Sequence, residues 1–80
     1  MAVEKTSQRK VVLFSYDKNV VKGRTISVQA AQGDAEPLEK KTQANKGVAF
    51  VTFGHDFAGE SHIRVQGSTG GTDEGVVHVD

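Results

Sequence analysis

The chain is predicted to fold as an all-β domain, a small antiparallel β-sandwich of six or seven short strands. Three observations predict it. Residues 47–65, GVAFVTFGHDFAGESHIRV, alternate apolar and polar side chains on either side of a Gly-bounded connection, the pattern of two half-buried strands. Turn-forming residues punctuate the chain at intervals of about 10 residues, as short sandwich strands require. No segment supplies the long crossover helices that a parallel sheet needs.

Residues 1–8 are mostly polar and read as a flexible N-terminal arm or a short edge, leaving 9–80 as one β-sandwich domain. Arg9 to Tyr16 carries Val11, Val12, Leu13, Phe14 and Tyr16, a β-rich apolar run that predicts the first core strand. Asp17, Lys18 and Asn19 end it with turn chemistry. From Arg24 to Ala30, Ile26, Val28 and Ala30 share one face and Thr25, Ser27 and Gln29 the other, so one side of this strand meets solvent. Gly33-Asp34 centres a polar turn before Pro37.

Leu38 to Gln43 could open a helix after Pro37, but about two turns is short for an isolated helix. A charged edge strand or extended loop is the preferred reading, because Glu39, Lys40 and Lys41 would discourage pairing with another molecule. Val48 to Phe53 places Ala49, Val51 and Phe53 on one face and Val48, Phe50 and Thr52 on the other. Both faces are apolar, which predicts either a doubly covered strand or a one-sided strand whose Phe50 supports a partner surface. Ile63 and Val65 continue the core. Residues 67–75, GSTGGTDEG, hold four glycines and read as a loop, and Val76 to Val79 closes the chain as a last strand, with Val77 and Val79 on the core side.

Eighty residues suffice for one domain, and 20 Val, Ile, Leu and Phe side chains must build its core. A chain of this size buries only about 60% of its unfolded surface, so nearly every strand is needed. Without cysteine, neither a disulfide nor a thiolate metal site can brace the fold. Ten Lys and Arg balance ten Asp and Glu, and their interspersion offers no basic patch for nucleic acid. No apolar run is long enough for a membrane helix, and MAVEKTSQRK lacks the apolar stretch of a signal peptide. The compartment is not readable; a surface-associated or extracellular place within a larger protein is compatible with this composition.

Thr42, Asn45, Lys46-Gly47-Val48-Ala49, Val51-Thr52-Phe53, Ala58-Gly59 and Ile63-Arg64-Val65 together resemble the second half of bacterial immunoglobulin-like modules and of carboxypeptidase-regulatory or transthyretin-like modules. Lys22-Gly23-Arg24-Thr25-Ile26-Ser27-Val28 extends the resemblance, with a glycine ahead of an alternating strand. The resemblance implies a small immunoglobulin-like or transthyretin-like sandwich serving as an adhesive, spacer or accessory domain. It specifies no chemistry, and the nine-residue GSTGGTDEG segment departs from a minimal spacer.

The expected function is a noncatalytic structural or protein-interaction module that positions larger partners, with a protein or neighbouring domain as partner. The alternative is an accessory ligand-binding module for a saccharide or calcium. Tyr16, Phe50 and Phe57 are the candidate contact aromatics, since Phe14 and Phe53 are assigned to the core. Asp56, Glu60, Asp73 and Glu74 are the candidate oxygen ligands for calcium if their loops meet, although no EF-hand spacing is present and a solvated acidic tip is the simpler reading. His55, His62 and His78 could contribute imidazole to a transition metal, but nothing fixes a tetrahedral arrangement. No cofactor is expected. Catalysis is not expected either: Ser61 and His62 are strand neighbours whose side chains point to opposite faces, and no nucleophile elbow is present.

Overall fold

The computed structural model describes residues 4–8, 11–34, 36–53 and 59–79. These form β1 (Glu4–Gln8), β2 (Val11–Ser15), β3 (Thr25–Ala31), β4 (Leu38–Gln43), β5 (Val48–Thr52), β6 (Gly59–Gly67) and β7 (Thr72–Val79). No helix occurs among the described residues. The strands make two antiparallel sheets, one in the order β1-β2-β5 and the other β4-β3-β6-β7. Both contribute to a single core, in a sandwich-like arrangement.

That core follows the period-two pattern of the sequence. Phe14 from β2 and Ala49 and Val51 from β5 meet Ile26, Val28 and Ala30 from β3 and Ile63 and Val65 from β6, with Tyr16, Val21 and Phe53 completing the cluster. Leu38 and Ala44 pack against its margin. On β6 the alternation is complete from Glu60 to Gly67: even positions through Gln66 are exposed, while Ser61, Ile63, Val65 and Gly67 are buried. The register sets Val28 opposite Val65 and Ala30 opposite Ile63, so the large and small core residues of the central strands stack in rows.

Two differences from the sequence reading, and one choice between its alternatives, have physical reasons. Residues 67–75 are largely strand: β6 runs through Gly67 and β7 begins at Thr72, leaving 68–71 as the connection. Thr72, Asp73 and Glu74 pair with Gln66, Val65 and Arg64, so backbone pairing holds a segment with little apolar content. Glu4–Gln8, expected as an arm or a short edge, pairs with β2 from Glu4↔Ser15 to Gln8↔Val11. A polar run suits the end strand of a sheet, and β1 ends its sheet beside β7 of the other. Tyr16, expected among the exposed aromatics, is buried at 6% exposure, its ring tilted against Phe14 with centroids 6.4 Å apart. It shares the phase of Phe14, and its N–H donates to the carbonyl of Gly47 at 2.8 Å, which ties it into the sheet.

The β6–β7 tip is clasped to the chain leading into β3. Lys22 N–H donates to Gly70 O at 2.9 Å, Thr69 N–H to Lys22 O at 3.1 Å and Ser68 N–H to Thr25 O at 3.0 Å. The two backbones approach so closely that a Cβ on Gly67 would lie 2.7 Å from Gly70 O and overlap Lys22 O. The glycines there serve contact between main chains, which is why the tip is shaped and not merely polar.

Candidate interaction surface

Each sheet has one face on the core and one face turned outward, and the two outer faces differ in chemistry. On β5, Val48 is 44% and Phe50 62% exposed, while the intervening Ala49 and Val51 are 2% and 4% exposed. Phe50 therefore stands on the outer side of a one-sided strand, as the second sequence alternative had it. Its register partner on β2 is Leu13, and Val48 is opposite Ser15. β5 also ends its sheet, so Phe50 lies at an edge as well as on a face.

The outer face of the other sheet is mostly polar, with exposed Val76 on β7 opposite His62. Glu39, Gln29, Arg64 and Glu74 fall in one row across β4, β3, β6 and β7, and Lys41, Ser27, Gln66 and Thr72 in the next. Ser27 Oγ donates to Glu39 Oε2 at 3.0 Å and Gln29 Nε2 donates to the same oxygen at 3.2 Å. Glu74 Oε1 lies 3.7 Å from His62 Nε2 and 3.9 Å from Arg64 Nε. A shallow open groove bounded by Ser27, Glu39, Lys41, Gln66 and Ser68 crosses this face. The alternation in β3 and β6 marks these residues as solvent-facing, but only the register reveals the rows.

The candidate carboxylates are engaged separately. Asp73 accepts the N–H of Asp17 at 2.9 Å through Oδ2 and that of Glu74 at 3.0 Å through Oδ1. Asp17 in turn caps its own turn, its Oδ1 accepting from Asn19 N–H at 2.8 Å. Asp73 thus fastens the start of β7 to the turn after β2, which links the two sheets. Glu60 sits four positions along β6 from Arg64, the partner of Glu74, a distance of about 13 Å at strand rise. Glu60 and Glu74 therefore do not converge, and no group of three His, Asp or Glu able to hold a metal occurs among the described residues. Asp56, Phe57 and His55 lie outside the described residues. Ser61 is buried and donates to Ala31 O at 3.3 Å, whereas His62 is exposed on the opposite face.

The amide of Gln29, then the hydroxyl of Ser27, hold the Glu39 carboxyl below its ordinary value of 4.5; Lys41 assists and slight desolvation opposes. A carboxyl with a depressed folded-state pKa stabilises the fold above the unfolded-state value, and that contribution disappears as pH falls through the folded value. Glu39→Gln is therefore expected to make the protein slightly less stable at neutral pH and to flatten the decline in stability below about pH 4.5. Urea midpoints of both proteins from neutral to acid pH measure this, and parallel curves would contradict the assigned hydrogen bonds.

No family model, curated protein or solved structure matches this chain.

Proposed function

We propose that this chain is a noncatalytic structural or protein-interaction module, an immunoglobulin-like or transthyretin-like sandwich that positions larger partners. The observation that carries the reading is Phe50, 62% exposed on a strand whose alternate side chains fill the core. Burying a phenylalanine contributes about 1.5–3 kcal/mol, and aromatic anchors of this kind concentrate the energy of protein interfaces. Val48, two positions away on the same face, enlarges the apolar area. The immunoglobulin-like assignment draws support from strand order. An order of β1-β2-β5 against β4-β3-β6-β7 is that of a seven-stranded immunoglobulin-type key whose fourth strand has joined the opposite sheet.

Photocrosslinking tests the reading. Benzoylphenylalanine placed at position 50 is expected to give discrete adducts in an extract of the source cells, while the same probe at Gln66, on the polar outer face, gives none. Excess unlabelled wild-type chain should compete away adducts with other proteins, and excess Phe50→Ser chain should not. Equal labelling from both positions, or none from position 50, would overturn the role assigned to this face.

A further inference from the structure

We propose that the partner taken by this surface is a second copy of the chain, joined edge to edge along β5 about a two-fold axis. The inference rests on the interaction reading above and names its occupant.

The hydrogen-bond phase of β5 carries the argument. Tyr16 N–H donates to Gly47 O at 2.8 Å, which makes Gly47 a hydrogen-bonded partner of β2. Antiparallel ladders alternate bonded and non-bonded pairs, so Ala49, opposite Phe14, and Val51, opposite Val12, also direct their backbone groups to β2. Val48, Phe50 and Thr52 then direct theirs the other way, toward the side on which β5 has no neighbouring strand among the described residues. The N–H of Val48 is taken by Asn45 O at 3.0 Å. Phe50 N–H and C=O, Thr52 N–H and Val48 C=O point to that side, where no described strand pairs with them.

A two-fold axis through Phe50 satisfies these groups reciprocally. Phe50 faces Phe50 of the second copy and exchanges both backbone hydrogen bonds with it. Thr52 faces Val48 of the second copy and donates to its carbonyl, and the symmetric bond forms at the other end. The Val48 N–H already committed to Asn45 is the donor this register can spare. The same symmetry sets the two Phe50 rings side by side on the outer face, with Cα atoms about 5.5 Å apart in a hydrogen-bonded pair, flanked by Val48 and Thr52 from each copy.

Charge selects this edge among the others. Residues 47–53, GVAFVTF, carry none, whereas β4 carries Glu39, Lys40 and Lys41, β7 carries Asp73 and Glu74, and β1 carries Glu4 and Lys5. Charged side chains are the usual guard of an open strand edge, and β5 lacks them. Pairing uses up both β5 edges and leaves β1 at each end of the joined sheet, where it lies beside β7, so the assembly closes at two copies and does not propagate.

One strand pair with two aromatic rings makes a small interface, and the expected dissociation constant is on the order of 100 µM. Sedimentation equilibrium of the full chain from about 5 to 500 µM should show mass rising from 8.6 kDa toward twice that value. Phe50→Lys places like charges at the axis, and Thr52→Pro removes an N–H that points away from β2. Each should weaken association at least about tenfold, with the far-ultraviolet circular dichroism of the wild type retained. Hydrogen exchange at Phe50 and Thr52 should slow as wild-type concentration rises. A wild-type chain that stays monomeric throughout, or a dimer indifferent to both substitutions, would overturn the proposal. If the chain is monomeric while position 50 still crosslinks specifically to a different protein, the interaction reading survives and the self-association is wrong; if neither occurs, both fail.

Discussion

Gly71→Ala is expected to lower the melting temperature by roughly 15–30 °C, corresponding to about 3–5 kcal/mol for a domain of this size. Two effects combine. Gly71 has φ +89°, a conformation that an L-residue adopts only at a cost of about 1–2 kcal/mol. In addition, a Cβ there would lie 2.7 Å from the carbonyl carbon of Val20 and overlap its oxygen, so main chain must move, and overpacking of this kind costs about 1–3 kcal/mol or more. Gly33→Ala separates the two effects: φ is +53° there and nothing lies within 4 Å of the added methyl, so only the conformational cost of about 1–2 kcal/mol remains. Calorimetry on the two variants checks the contrast. Equal losses would mean that the β6–β7 tip is not held against residues 20–25 as described.

The core was legible because its residues recur at period two. Of the residues assigned to one apolar layer from alternation alone, Ile26, Val28, Ala49, Val51, Phe53, Ile63 and Val65 are buried in one cluster, and the side chains of Val77 and Val79 lie outside the described set. The same alternation separated Phe50 from Phe53: chemically identical side chains three residues apart have opposite phase, and one is exposed while the other is buried. Tyr16 was harder to place, because the turn residues after it drew it toward the surface while its phase with Phe14 drew it inward. The beginning of β7 was illegible for a different reason. Asp73 and Glu74 owe their strand geometry to backbone pairing with β6 and, for Asp73, to a carboxylate that caps the turn at Asp17 across the sandwich. Composition carries no trace of such long-range partners. The candidate surface was legible only in part: Phe50 could be named from phase, but its place at an open edge depends on strand order, which local pattern does not encode.

Ile63→Ala should remove about 3–5 kcal/mol of stability, against a total of roughly 4–12 kcal/mol for 80 residues. Ile63 is fully buried on β6, between β3 and β7, and its register neighbours are Ala30 and Gly75. In that row only half-buried Leu38, opposite Ala30, offers another branched side chain. Small neighbours cannot collapse into the space an isoleucine leaves, which places the loss toward the upper end for such truncations. Ile63→Val, which leaves most of the volume filled, should cost only about 1 kcal/mol. Phe50→Ala removes a larger side chain from the outer face and should change stability by less than about 0.5 kcal/mol. Urea titrations of all three, with unchanged slopes, give the comparison. A one-residue shift in strand phase would exchange inner and outer faces throughout β5, burying Phe50 and exposing Ala49 and Val51. A Phe50→Ala loss equal to that of Ile63→Ala would therefore reverse the facing of β5 and with it the interaction surface, while a small loss at Phe50 beside a large one at Ile63 leaves the aromatic ring free for a partner.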